Sequence, residues 1–278
     1  MYNDLYRPPH KQLVTSADQP IAGQGYNSLP FVFDLVSLCN GLRVPNTTTA
    51  KSLEQPPPSD SDGLKTLEML HNVNQRIELV STNSSGSLGL HPLIYYYAKS
   101  GVFLPSAFLA SLEFSKRLDA QNRKKDFTII RRKFEDYIFE NKSFVSLTAA
   151  RLGSGARSLG RIANLFWEIF EGLHSGKSTT EIYNELISKG DYVHLKIADI
   201  PPPNHDLHPS TRGASRQSKS AAFIRSAMAN PVRCPICEGA VHANSMTFDH
   251  DNRKADGGSN YSDNLHPSHP FCNSGVKN

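Results

Sequence analysis

The sequence predicts an α+β chain in three parts: a mainly helical region over residues 1–200, a linker over 201–220 and a small metal-stapled module over 221–278. Three observations carry this. Apolar residues recur at helical spacing through most of the first two hundred positions. A proline-rich polar stretch, "IPPPNHDLHPSTRGASRQSKS" (Ile200–Ser220), interrupts that pattern. Beyond it, two Cys/His pairs lie close together in a segment poor in large apolar side chains.

The elements follow in order. Residues 1–29 are polar, with scattered Pro and Gly, and read as irregular. "LPFVFDLVSLCNGL" (Leu29–Leu42) predicts a short buried helix with Cys39 as a core thiol. Arg43–Gly63 reads as a loop, because Pro, Ser, Thr and Asp dominate it. In Leu64–Val80, Leu67, Leu70, Val73, Ile77 and Val80 form one helical stripe. The polar run Asn83–Ser87 breaks the pattern. Helices are expected around Pro105–Leu118 and Asp126–Glu140. A clearer one follows in "SLGRIANLFWEIFEGLH", where Leu159, Ile162, Phe166, Ile169, Phe170 and Leu173 share a face. The single tryptophan, Trp167, belongs to the same aromatic core stripe. Thr179 or Thr180 can cap the next helix, with Gly190 closing it.

Three prolines in a row make Ile200–Ser220 the boundary. After it, "SRQSKSAAFIRSAMANP" predicts a short helix carrying Arg216, Lys219 and Arg225. From Arg212 to Arg233 there are five basic residues and no acidic one. Such a run is either a solvated face or an arm that contacts phosphates.

The four cysteines are Cys39, Cys234, Cys237 and Cys272, three of them within the last 45 residues. This clustering suits a metal site in a reducing compartment better than a disulfide framework. "RCPIC" supplies Cys234 and Cys237; "SHPFC" supplies His269 and Cys272, 32 residues after the first pair. Two such knuckles can close a tetrahedron around one Zn²⁺. A segment with so little apolar content would owe its fold to that ion. No βαβ pattern surrounds the pair to favour a redox role. His242 and His266 stand near enough in sequence to compete with His269 as ligand.

"TFDHDNRKADGGSNYSDNLHPSHPFCN" (Thr247–Asn273) holds the residue types of phosphodiester hydrolysis, which needs a nucleophilic water, a base and a divalent cation. Histidine is the side chain that ordinarily changes charge near neutral pH, so His250 can be the base. Asp249 and Asn273 offer hard oxygens suited to Mg²⁺ or Mn²⁺. "MTFDH" reads as a strand. Neighbours on a strand point to opposite faces, so Asp249 and His250 can share a site only if the strand ends and turns there. The Gly-rich loop after His250 allows that.

The ordered set "CPIC", "FDH", "ADGGSN", "DNL" and "HPFCN" resembles the HNH endonuclease family in its zinc-bearing ββα-metal form, over about Arg233–Asn278. The intervals agree: His250 to Asn264 is 14 residues and Asn264 to Asn273 is 9. The resemblance implies that His250 activates water, that Asp249 and Asn273 bind the catalytic cation, and that Asn264 braces the loop behind His250. It also implies a structural zinc on Cys234, Cys237, His269 and Cys272. This chain departs from many relatives in having His269 where they carry Cys, and Arg253 where Pro is common.

No second catalytic constellation appears in the first two hundred residues. "RKKDFTIIRRK" (Arg123–Lys133) carries six basic residues and one acid, again a solvated face or a backbone track. "GSLGLHPLIYYYAKSGVFLPSAFLASL" is similar to the helical region preceding HNH modules in some bacterial proteins of restriction and phage defence. Those proteins carry a ParB-like domain whose motif this chain lacks, so the resemblance implies a ParB-like partner. The formal charge of +4 is too mild to prove nucleic-acid binding, but Arg216, Lys219, Arg225, Arg253, Lys254 and Lys277 are the basic residues best placed for it. No run of 18 apolar residues and no apolar leader are seen, so no membrane is expected and the chain reads as cytoplasmic. The sequence therefore points to a DNA endonuclease, with a catalytically inactive zinc-stabilised nucleic-acid-binding module, or an assembly subunit, as the alternative.

Overall fold

The helical pattern of the sequence is realised as a body of α-helices, followed by a two-stranded hairpin and a Cys/His cluster. The computed structural model describes residues 28–42, 60–99, 101, 103–153, 156–199 and 216–277. The irregular segment read at the N-terminus falls outside them over 1–27. So do positions 43–59 of the expected loop and 200–215 of the expected linker. Residues 216–220, where the expected linker and the expected short helix overlap, are helical.

Helix α1 (Ser28–Cys39) packs on α2 (Leu64–Ser81), which in turn packs on α4 (Pro105–Ala120). In α2 the expected stripe is buried only in part: Val73 and Val80 are enclosed, whereas Leu67 is 51% exposed. A single turn, α3 (Pro92–Tyr95), leads into a buried run of three tyrosines, Tyr95–Tyr97. Proline opens both α3 and α4, where its missing N–H would have had no helical partner. Helices α5 (Lys124–Glu140), α6 (Ser143–Leu152) and α8 (Thr179–Ser188) all lie against α7 (Ala156–His174), and α7 packs most extensively on α4.

The helices meet in an aromatic cluster. Phe114 of α4 stacks on Phe134 of α5, with ring centroids 5.5 Å apart. Phe127, Phe166 and Phe170 meet the same rings edge-on. Arg117 covers Trp167 at 3.8 Å, a cation–π contact that closes the cluster on its outer side.

Helix α8 is capped by Ser178 rather than by either threonine. Ser178 has extended backbone angles, its hydroxyl accepts the Glu181 N–H, and the Glu181 carboxylate accepts the Ser178 N–H. This reciprocal capping box satisfies two donors at once, which neither Thr179 nor Thr180 can do from inside the helix. The helix closes on Lys189, one residue before the expected Gly190. A 3₁₀ segment, Val193–Asp199, follows and packs on α6 and α8.

Helix α9 (Arg216–Ala227) leads to the Cys/His knuckles and to the hairpin of β1 (Thr247–His250) and β2 (Leu265–Ser268). The strands are antiparallel, with Asp249 opposite His266 and His250 opposite Leu265. A helical turn of wide pitch, Cys272–Val276, crosses β1 and touches α5. The observed architecture is thus α+β, mostly helical with one small sheet. Among the described residues no helix is long and apolar enough to cross a membrane.

The Cys/His segment is seated on the body by polar contacts. Arg131 and Glu135 of α5 are each 1% exposed and bond to one another at 2.7 Å. Arg131 also donates to the carbonyls of Leu88 (2.6 Å) and Gly89 (3.1 Å). Glu135 accepts the Tyr95 hydroxyl and the Ala240 N–H, the latter at 2.7 Å. The polar run after α2 supplies the rest of the seat. Asn83 accepts the Met246 N–H, Ser85 O the Ser274 hydroxyl, and Ser87 O the Phe271 N–H. Two glycines permit this approach. A Cβ on Gly89 would lie 2.7 Å from Ser245 O, and one on Gly239 would lie 2.8 Å from Arg131 Nε.

Candidate functional site

The first knuckle is a tight turn. Glu238 N–H returns to Cys234 O and Cys234 N–H to Gly239 O, with Glu238 itself at φ +56°. The second knuckle opens the crossing turn, where Asn273 N–H bonds to His269 O. Together they bring Cys234, Cys237, His269 and Cys272 into one buried group, with all four ligand atoms within 4.8 Å of each other. His269 Nδ1 lies 3.2 Å from Cys237 Sγ and 3.8 Å from Cys272 Sγ. A tetrahedron with Zn–S of about 2.3 Å and Zn–N of about 2.0 Å has edges of about 3.5–3.8 Å, so the spacing fits such an ion.

The competing histidines are placed elsewhere. His242 stacks edge-on against His91, and its Nδ1 accepts the Asn244 N–H. His266 pairs with Asp251 at 2.8 Å. His269 donates from Nε2 to Ala240 O at 3.0 Å, which fixes the tautomer and turns the Nδ1 lone pair toward the sulfurs. Burial, and then Arg131, lower the His269 pKa and keep the imidazole in its neutral, ligating form. Hydrogen bonds from Cys237 and Cys272 hold Cys234 down as a thiolate. Those same bonds raise Cys237 and Cys272, and Arg131 opposes the rise. The group can thus hold a metal such as zinc, and Arg131 is the nearby positive charge that favours its thiolates.

Asp249 and His250 take opposite sides of β1, as the strand period requires. The Asp249 side chain is 10% exposed and lies under Lys277, whose Nζ is 2.8 Å from Asp249 Oδ2 and 2.7 Å from His250 O. The strand ends at His250. The imidazole bonds through Nε2 to Asn260 Oδ1 at 3.1 Å, so the proton is on Nε2 and the lone pair on Nδ1. Asn264 ties the intervening loop together. Its Oδ1 accepts the Asn252 N–H (2.8 Å), and its Nδ2 donates to Asn252 O (3.0 Å) and Ser259 O (2.7 Å). Gly258 is obligatory there, since a Cβ would fall 1.8 Å from Asn252 O. Asn273 sits on the crossing turn and donates from Nδ2 to Phe248 O and Thr247 Oγ1.

No family model, curated protein or solved structure matches this chain.

The structure gathers Asp249, Asn273 and Lys277 at one end of the hairpin and sets the His250 ring on the loop side. Of the basic residues singled out in the sequence, Lys219, Arg225 and Lys254 are exposed, and Arg216 opens α9. Arg253 and Lys277 have internal partners, Arg253 donating to Lys277 O at 2.7 Å. The basic run Arg123–Lys133 is mostly occupied as well. Arg123 meets Asp126 and Glu171, Lys124 meets Asp119, Arg132 meets Asp136, and Arg131 is buried. Sequence reasoning missed Asn260, the partner of His250, although "GGSN" lay within the quoted motif. It also missed Glu135 and Arg131, whose four-residue spacing inside an apolar stripe was the available signal.

Proposed function

We propose that this chain is an HNH-type endonuclease, a metal-dependent hydrolase of DNA phosphodiester bonds. The observation that carries the reading is the His250 end of β1. Its ring is oriented by Asn260, the loop behind it is tied by Asn264, and the His250 carbonyl shares the Lys277 ammonium with Asp249 on the other side of the strand. In this reading His250 Nδ1 takes the proton from the attacking water, while Asn260 holds the ring through Nε2. A bound Mg²⁺ or Mn²⁺ supplies charge neutralisation at the phosphate and the leaving oxygen. Asp249 and Asn273 would hold that ion. The donor chemistry fits: Asp249 Oδ2 and His250 O already face a positive charge, the Lys277 ammonium. Asn273 spends its nitrogen on Phe248 O and Thr247 Oγ1, leaving Oδ1 as the atom that can ligate. The Cys/His group, with four ligands and no open position, has a structural role under this proposal.

DNA is the partner in this reading, and the helical body serves target choice or docking, with a ParB-like-domain protein as a candidate subunit. A second reading, a zinc-stabilised nucleic-acid-binding module without activity, is favoured by one observation: Lys277 already neutralises Asp249. Incubating the purified chain with supercoiled plasmid, with and without Mg²⁺ or Mn²⁺, separates the two. The endonuclease reading requires metal-dependent nicked or linear product that His250→Ala does not form. DNA retention with no product under any divalent ion would favour the binding module.

A further inference from the structure

Asp249 is nearly enclosed, and a carboxylate in that position is costly without a counter-charge. The counter-charge is Lys277. Its ammonium bridges two hard oxygens, Asp249 Oδ2 at 2.8 Å and His250 O at 2.7 Å. The lysine is anchored independently at its backbone, where Arg253 donates to Lys277 O at 2.7 Å. The crossing turn is therefore held at one point and the ammonium at another. The four-carbon stem can leave Asp249 without moving the turn.

A divalent cation on Asp249 and an ammonium on the same carboxylate repel each other, so one excludes the other. Resting on the reading of Asp249 as a cation ligand, we propose that Lys277 is the resident counter-ion of Asp249, which a divalent cation must displace. The released ammonium then takes a DNA phosphate as its second partner. Each ligand assists the other under this scheme. The cation frees the lysine to meet the phosphate, and the phosphate draws the lysine off the cation site. Linkage makes that assistance reciprocal. The free protein holds Mg²⁺ or Mn²⁺ weakly, and loading follows DNA.

The test uses the full zinc-bearing chain in a His250→Ala background, so that DNA survives the measurement. Mn²⁺ binding is read from the electron paramagnetic resonance signal of the free ion, with and without a short duplex. Zinc content checks that each variant is folded. Lys277→Met should bind Mn²⁺ at least tenfold more tightly than its parent without DNA, and Lys277→Arg should stay weak. Duplex should tighten Mn²⁺ on both, and by a larger factor on the parent than on Lys277→Met. Equal Mn²⁺ affinity in parent and Lys277→Met, with binding lost in Asp249→Asn, would overturn the lysine's role and leave Asp249 as a ligand. Mn²⁺ binding that Asp249→Asn does not alter, with or without duplex, would remove Asp249 as a ligand and this inference with it.

Discussion

Replacing Arg131 by Met tests whether the Cys/His segment and the helical body are one cooperative unit. The substitution keeps much of the side chain's length and removes its charge. It leaves Glu135 buried at 1% exposure without its cation, and takes the donors from Leu88 O and Gly89 O. Breaking one side of a buried pair costs about 3–5 kcal/mol. A domain of ordinary stability has about 5–15 kcal/mol in all, so the loss is a large fraction. Urea unfolding followed by Trp167 fluorescence measures the cost in the body, and chromogenic chelator kinetics measure metal release. Arg131→Met should lower both together, because its guanidinium also faces the Cys237 and Cys272 sulfurs electrostatically. Arg131→Met/Glu135→Leu should recover part of the loss, less about 1 kcal/mol each for the Ala240 N–H and the Tyr95 hydroxyl left without their acceptor. A single variant within 1 kcal/mol of wild type, or a double variant no better than the single, would refute this account of the buried pair.

Three further outcomes follow from other features. With zinc on the Cys/His group, as proposed, Cys272→Ser should lower the zinc found by elemental analysis from one per chain to none and increase hydrogen exchange in β1 and β2, since among the described residues the local cluster is Cys234, Cys237, Val241 and Cys272 with Ile236 and Met246 packed against it. Burial of Lys142, whose ammonium donates to Tyr97 O, lowers its pKa from 10.5 to about 7. Between those values the unfolded chain holds a proton that the folded chain has released, so unfolding free energy should rise with pH from about 7 toward 10.5. Lys142→Met should remove roughly 4–5 kcal/mol of that dependence in pH-resolved denaturation. Asn264→Ala should leave metal content unchanged and raise amide exchange over Asp251–Ser259, because it removes three hydrogen bonds that join the loop ends.

The helices were legible because their apolar spacing is strong, most clearly in α7. The four side chains of the Cys/His group were legible because two short knuckles are a local pattern. The cap of α8 was not, because Ser178 and Thr179 are chemically alike and backbone angle decides between them. The seat of the Cys/His segment was hidden for another reason. Arg131 lies in a run of six basic residues that reads as a solvated face, and its burial depends on carbonyls 42 and 43 positions away. The pairing of Lys277 was hidden in a similar way. The sequence offered this lysine only as one of several basic residues that could meet a phosphate, and the fold of the crossing turn is what brings it to Asp249.

The seating on Asn83–Gly89 and α5 also determines what can be exchanged between proteins. A chimera that transplanted residues 221–278 alone would carry Gly239 and Ala240 to a surface lacking Arg131 and Glu135, and Phe271 to one lacking Ser87 O. The smallest portable cassette is therefore discontinuous. It comprises the Cys/His segment, the end of α2 with its following loop, and the buried face of α5.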